Sequence, residues 1–576
     1  MLNQKQLNRT LFIFAALLFS SFVFPLHSPP FRTYYHELLG ALSVICALGS
    51  MTCLPQIKLT IPKLVILPVG LIIIIAIQTK VGLILFPVDM VFPVLTLLCF
   101  ICAQIFGATV AAQDNGIEKL SMALALAFVV TGLVSVILQH IQLLDLHWRP
   151  LVFPLLSKVQ VRPYGNLAQP NLLALLLCFS VASIWYIYLK EKIKPIAGLV
   201  IVVFLLWGLA LTQSRIAWII LPIFFAGCWQ PPAHTRKIPG AVLSALLLCF
   251  VAFVFVLPYF FSLFGLTIES LKEHAGQTSV RTVLWQQALQ MSFMHPWMGA
   301  GWYQFGPQQI LLSTYFSPAE YADNAHNIVM NFVAEIGWPS TVLIVVGMAY
   351  WFYSCCIRHW QNLQVRFMSL TLLAVAVHSM VEYPMWFCFV LMPCGVMLGA
   401  LHVENLGLER VVVSRKALIA FFVAAAIIGA DVTWDYVRVV YGFVALNWQQ
   451  EGKKTGLGST EKPEFTLLPQ FYDYFRILKI DVAPGISKED LKFVEQLSLR
   501  FGHPVVLNRL ALIYANNEKP NEALQVLITM QRLFRVQYVD SYADWKKYAQ
   551  LSPELYGEIF KRLPQPDTIG EATTSK

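Results

Sequence analysis

Residues 196–229 read IAGLVIVVFLLWGLALTQSRIAWIILPIFFAGCW, two apolar runs separated by a short polar turn that holds the only charged residue, Arg215. Runs of this kind read as membrane helices, here 196–212 and 216–229, with Thr212-Gln213-Ser214-Arg215 at the bilayer edge. The pattern recurs along the first 437 positions. Further spans are expected at 10–26, 37–54, 64–78, 88–112, 120–141, 170–189, 240–261, 338–357, 366–381, 384–402 and 417–436. The fold class is therefore all-α, a polytopic helical membrane protein with about 12–13 spans. Composition agrees: 57% of the 576 residues are hydrophobic and 13% charged, where soluble proteins carry about 25% charged residues. An ordinary soluble enzyme is excluded. The net charge of +9 comes from Lys and Arg scattered between apolar runs, so nucleic acid is not an expected partner.

Lys5 and Arg9 precede the first run, and no small-x-small cleavage site follows Leu26, so that run is expected to be an uncleaved span. With a cytoplasmic N-terminus, the Lys/Arg bias is nearly two to one in favour of the cytoplasmic segments. That side holds the tight clusters Lys190/Lys192/Lys194, Arg236/Lys237 and Arg410/Arg415/Lys416. The outer side holds Arg32, Lys80, Arg149, Lys158, Arg162, Arg215, Lys272 and Arg281. Segments 142–169, 262–337 and the tail after 437 then lie outside. All eleven cysteines, from Cys46 and Cys53 to Cys388 and Cys394, sit in or beside apolar runs, as packing residues rather than a disulfide framework. Cys99 and Cys102 form a CxxC inside an apolar run with no ligand partner nearby.

Two domains are expected: a membrane domain, 1–437, and a small helical C-terminal domain, 438–576. In the tail, Leu507, Leu510, Ala511, Tyr514, Ala523, Leu524, Leu527 and Leu533 have helix–turn–helix spacing, with Asn516, Asn517 and Pro520 at the turn. One tetratricopeptide-like pair cannot close a solenoid. Pro564 and Pro566 are expected to begin a disordered end.

Five constellations could carry chemistry, all on the predicted outer side. Arg162-Pro-Tyr-Gly-Asn-Leu-Ala-Gln169-Pro-Asn171 makes a tight turn that sets amides at a helix start; the plain alternative is ordinary capping. Arg215 is suited to bidentate phosphate binding, the alternative being a snorkelling arginine. Arg281 falls in the first turn of an amphipathic stretch running through Trp285, Ala288, Leu289 and Ser292 to His295-Pro296, where exposed amides favour an anion. Asp323-Asn324-Ala325-His326-Asn327 precedes Asn331 and Glu335, so positions 327, 331 and 335 share one helix face. His326 could accept a proton near neutrality. His378, Glu382, Tyr383 and Pro384 end another span; a metal there is rejected for want of a third ligand. Mid-span positions are almost empty of charge, unlike those of an ion-coupled transporter.

The Ser-Arg215 box, Arg281 with Trp285 and Pro296-Trp-Met-Gly-Ala-Gly, and Ala-His326-Asn327 resemble the bacterial O-antigen ligase and polymerase superfamily. Gly165-Asn-Leu-Ala-Gln169-Pro-Asn171 and Glu382-Tyr383-Pro384 resemble its protein O-oligosaccharyltransferase branch. The resemblance covers roughly residues 10–437 and implies a GT-C-like membrane fold with a large periplasmic loop over 262–337. It also implies transfer of a preassembled glycan from undecaprenyl diphosphate to Ser or Thr of periplasmic proteins such as pilin. No cofactor and no metal are implied. By the same resemblance, His326 activates the acceptor hydroxyl, and Arg215 and Arg281 bind and stabilise the diphosphate. Arg162, Gln169, Asn171, Asn327, Glu382 and Tyr383 are further substrate-binding positions. The implied location is the bacterial inner membrane, with active site and tail facing the periplasm. Rival readings are a lipopolysaccharide O-antigen ligase, an O-antigen polymerase and, more remotely, a lipid-linked glycan flippase.

Overall fold

A computed structural model of the chain describes residues 4–51, 57–146, 148, 150–156, 161–229, 237–268, 278–407, 410–453 and 458–566. Arg149, Lys158, Arg236 and Lys272 of the orientation argument, Cys53, and the end expected to be disordered beyond Pro566 lie outside the described residues. Each expected span overlaps a helix, 52–54 of the second lying outside the described residues. Among the described residues nine helices are long and apolar enough to cross a membrane, and Pro195–Leu211, Ala217–Cys228 and Leu363–His378 are shorter apolar helices. Several present bare apolar side chains, with Ile196 79% and Leu343 75% exposed. Such surface is tolerable where lipid covers it. The chain is an all-α multi-pass membrane protein.

The chain packs as two compact units: residues 1–73, 92–276 and 343–427 form one, and residues 74–91, 277–342 and 428–576 the other. The second unit thus joins the C-terminal residues from 428 onward to two earlier stretches, 74–91 and 277–342.

In the first unit the helix Pro170–Leu189 is buried along nearly its whole length. It packs against Gly116–Leu143, Pro195–Leu211, Ala217–Cys228 and Leu363–His378. A helix that carries no charge and no polar face belongs in such a central position. Elsewhere small residues set the spacing. Gly107 lies against the Val396 carbonyl and Gly399 against the Gln104 carbonyl, where any Cβ would collide; glycine lets Val91–Ala111 and Cys388–Leu406 approach this closely. One two-stranded antiparallel sheet pairs Ile57–Thr60 with Arg410–Val413, with Lys58 opposite Val412 and Leu59 opposite Val411. Arg366, in the first turn of Leu363–His378, is buried. Its Nε donates to the Trp360 carbonyl at 2.8 Å and its guanidinium lies 5.4 Å from the Trp360 ring.

The second unit contains the expected helix pair, Pro504–Asn516 and Pro520–Leu533. Its interface is built from Leu507, Ala511, Ala523, Leu524, Leu527 and Met530, closed by Trp545 from Arg535–Leu551. The turn falls at Asn517, with Glu518 at φ +57°. Asn517 Oδ1 accepts from the Gly485 and Ile486 amides at 2.7 and 3.0 Å, tying the pair to the segment before it.

Candidate functional site

In the first unit three of the sequence boxes meet. Arg162 Nε donates to the Thr212 carbonyl at 2.8 Å and Arg162 Nη2 to Asn171 Oδ1 at 3.1 Å. Ser214 Oγ donates to the same Oδ1 at 2.8 Å, and Asn171 Nδ2 donates to Glu382 Oε1 at 3.0 Å. Asn171 therefore joins the 162–171 turn, the 212–215 turn and the end of the 363–378 helix. Only an amide does this, since it must accept from a cation and a hydroxyl while donating to a carboxylate. Arg215 follows Ser214 directly and is half-buried. Gln169 caps Pro170–Leu189 by accepting from the Leu172 amide at 3.2 Å. Tyr383 stacks on Phe387 with ring centroids 5.8 Å apart.

The turn that presents Arg162 is held by amides the sequence reading passed over. Gln142 donates to the Phe153 and Gly165 carbonyls at 2.7 and 2.8 Å and accepts from the Tyr164 and Gly165 amides. Gln139 donates to the Pro163 and Gly208 carbonyls at 3.0 and 3.1 Å. Their signal was visible: two glutamines at the end of a 28-residue apolar helix would be costly without partners. Asn166 is buried, bonded to Val23, Leu151 and Phe153, so it organises the turn. The Asn166 carbonyl is 2.8 Å from His27 Nε2. Burial, then the Arg32 charge, holds the His27 imidazole below its ordinary value.

In the second unit Arg281 lies in the helix Thr278–Met294, as expected. Leu284, Ala288 and Met291 of that helix form one core with Phe305, Phe316, Ala319, Ala325 and Ala334. The helix of Arg281 and the residue before His326 are thus packed together. Gln287 Nε2 donates to the Ser317 carbonyl at 2.8 Å and Gln309 Nε2 to Gln287 Oε1 at 2.6 Å.

His326 sits at φ +49°, a conformation costly for a non-glycine residue unless its surroundings hold it. They do. The His326 amide donates to Asn324 Oδ1 at 2.9 Å and the Ala325 amide to Asn331 Oδ1 at 3.1 Å. Asn327 Oδ1 accepts from the Val329 and Met330 amides at 3.0 and 3.1 Å, capping the helix that follows. Asn331 Nδ2 donates to Glu335 Oε2 at 3.1 Å, joining two of the three positions of the expected polar face. The helix Ile328–Phe352 breaks at Gly337, at φ +78° and ψ +169°. There the Trp338 amide donates to the Pro296 carbonyl at 2.9 Å and the Ala300 amide to the Ala334 carbonyl at 2.8 Å. Buried Gln78 donates to the Met298 and Glu335 carbonyls, both at 2.7 Å, and accepts from the Trp302 amide at 3.0 Å. Among the described residues no group of three or more His, Cys, Asp or Glu is gathered as a metal set.

In each unit the side chains described above meet in turns at helix ends of a multi-pass helical scaffold. Two family models match it: one described as O-Antigen ligase over residues 199–345, the other as Virulence factor membrane-bound polymerase, C-terminal, over residues 367–552. A General O-oligosaccharyltransferase of Acinetobacter baylyi is 24% identical over 551 residues, 92% of this chain and 93% of that protein. A ComP-specific O-oligosaccharyltransferase of the same organism is 24% identical over 397 residues, 67% of this chain and 70% of that protein. By these matches the chain is similar to the O-antigen ligase superfamily and to O-oligosaccharyltransferases within it.

Proposed function

We propose that the protein moves a preassembled glycan from undecaprenyl diphosphate to a Ser or Thr hydroxyl of extracytoplasmic proteins, pilin among them, at the periplasmic face of the bacterial inner membrane. The observation that carries this reading is similarity over nine-tenths of both chains to a protein named General O-oligosaccharyltransferase. In the proposed step the acceptor oxygen attacks the anomeric carbon, the bond from that carbon to the diphosphate oxygen breaks, and His326 takes the hydroxyl proton. General-base help of this kind is worth about 10²–10⁴-fold. The departing diphosphate gains negative charge, which the guanidinium groups of Arg215 and Arg281 stabilise more in the transition state than in the ground state. Arg162, Asn171, Glu382, Gln169 and Tyr383 shape the turns beside Arg215. Asn327 fixes the helix start beside His326.

The test uses purified protein, lipid-linked oligosaccharide and a pilin-like acceptor, with intact mass as readout. The wild-type protein is expected to add one glycan mass to the acceptor. His326→Ala should abolish the product while the protein level and membrane insertion stay normal. A flippase gives no covalent product. The match of residues 367–552 to a polymerase model favours one second reading, glycan-to-glycan transfer, which in the same assay would lengthen the lipid-linked glycan and leave the protein acceptor unmodified.

A further inference from the structure

The segment 317–327 has no regular secondary structure, so its amides need partners from elsewhere. One amide, and two carbonyls just ahead of the segment, find theirs on the C-terminal helices of the same unit. Arg532, in the last turn of Pro520–Leu533, donates through Nε to the Ser313 carbonyl at 2.7 Å and through Nη2 to the Phe316 carbonyl at 2.5 Å. One turn earlier, Thr529 Oγ1 is 2.7 Å from Ser313 Oγ, with both side chains buried. The Tyr321 amide donates to the Leu533 carbonyl at 3.0 Å. The Tyr321 ring stacks on Phe534 with centroids 5.3 Å apart.

From Tyr321 the path to His326 is short. Tyr321 Oη donates to Asp323 Oδ1 at 3.0 Å, the Ala322 amide donates to Gln309 Oε1 at 2.9 Å, and Asn324 Oδ1 accepts from the His326 amide at 2.9 Å. Burial, then the Asp323 charge, pushes the Tyr321 phenol well above its usual range, so it remains a donor at neutral pH. Phe316, whose carbonyl Arg532 grips, lies in the same core as Leu284 and Ala288 from the helix of Arg281. The C-terminal helices have hydrophobic cores around Leu527 and Trp545 and around Val494 and Leu510, with Ile310 and Phe86 packed against their edges. They do not need Ser313 or Phe316 to bury their apolar surface. What the contact does is fix an irregular loop at two carbonyls with one planar fork, a geometry that lysine cannot reproduce.

We infer that Arg532 is a positioning residue: the C-terminal helical domain, through Arg532 and the Leu533–Phe534 corner, holds the 313–325 segment so that His326 and the helix of Arg281 keep their working geometry. The inference rests on the proposed role of His326. The tail is then a working part of the transferase.

The test compares full-length wild type with Arg532→Ala, Arg532→Lys and Tyr321→Phe, by hydrogen–deuterium exchange over 313–327 and by kcat and KM in the reconstituted transfer. Arg532→Ala is expected to raise exchange in that segment. It should also lower kcat between about 10-fold and about 10²-fold, the latter being the loss for a displacement of about 1 Å, with donor KM unchanged. Arg532→Lys should fall between it and wild type. Tyr321→Phe keeps the stacking but loses the Asp323 bond, and should show a smaller kcat loss in a folded protein even where Arg532→Ala does not accumulate. Unchanged exchange over 313–327 in Arg532→Ala, or a loss confined to acceptor KM, would overturn the inference. Should His326→Ala still transfer glycan while Arg532→Ala opens the segment, the base assignment fails and the brace stands.

Discussion

Replacing Asn171 by alanine removes three hydrogen bonds at once, to Arg162 at 3.1 Å, Ser214 at 2.8 Å and Glu382 at 3.0 Å. Two have a charged partner, each worth about 1.5–3 kcal/mol, and the third is a neutral bond worth about 1 kcal/mol. The three share one side chain and will not add, so the expected loss is about 2–4 kcal/mol. It should appear as a lower thermal midpoint in detergent together with reduced transfer, because the 212–215 turn is released from the 162–171 turn. Asn171→Asp is the sharper variant. Its carboxylate still accepts from Arg162 and Ser214 but faces the Glu382 carboxylate at about hydrogen-bond distance. Two such carboxylates cannot both ionise cheaply, so one is expected to bind a proton at a raised pKa and then donate across the gap. Transfer by Asn171→Asp should therefore recover as pH falls, relative to wild type. Wild-type stability and activity in Asn171→Ala, or a pH profile of Asn171→Asp that matches wild type, would refute the role given to this amide.

Arg215→Lys is expected to lower transfer by about 10-fold to 10²-fold, since a point charge cannot replace a bidentate fork; wild-type rates would leave Arg215 a topological residue. Gly337→Ala places a methyl 2.6 Å from the Trp297 carbonyl at φ +78° and should cost about 1–3 kcal/mol, measured as a lower thermal midpoint. Gly107→Val should separate two membrane helices at a cost of about 1–3 kcal/mol or more, seen as loss of folded protein in detergent. For His27, the folded-state value lies below the usual 6.5. The stability of its neutral form is then whole above about pH 6.5 and declines as pH falls below it. His27→Asn should flatten that part of the stability–pH curve, and an unchanged curve would exclude His27 as its source.

The membrane helices were legible because burial in lipid demands long apolar runs, and Arg415–Gln450 or Gly116–Leu143 announce themselves by that alone. The polar turns were legible for the complementary reason: Arg215 and Asn171 are polar residues in short breaks between apolar runs. What could not be read were relations between distant positions. Strands Ile57–Thr60 and Arg410–Val413 are each too short and too far apart in the chain to signal a partner. The bond from buried Arg366 to the Trp360 carbonyl depends on packing that the local sequence does not announce. Gln78, Gln139 and Gln142 are single amides in apolar runs, and their purpose shows only when the carbonyls they hold come from turns elsewhere. The grip of Arg532 on residues 313 and 316 is of the same kind, since it joins positions more than 200 apart.

The most direct measurement is an experimental structure of the purified protein in lipid with an undecaprenyl-diphosphate-linked oligosaccharide bound. The expected result is diphosphate oxygens within about 4 Å of both the Arg215 and Arg281 guanidinium groups, with the His326 imidazole open to the anomeric carbon from the acceptor side. A diphosphate held by other residues, or contacted by only one of these arginines with His326 remote from the sugar, would contradict the account.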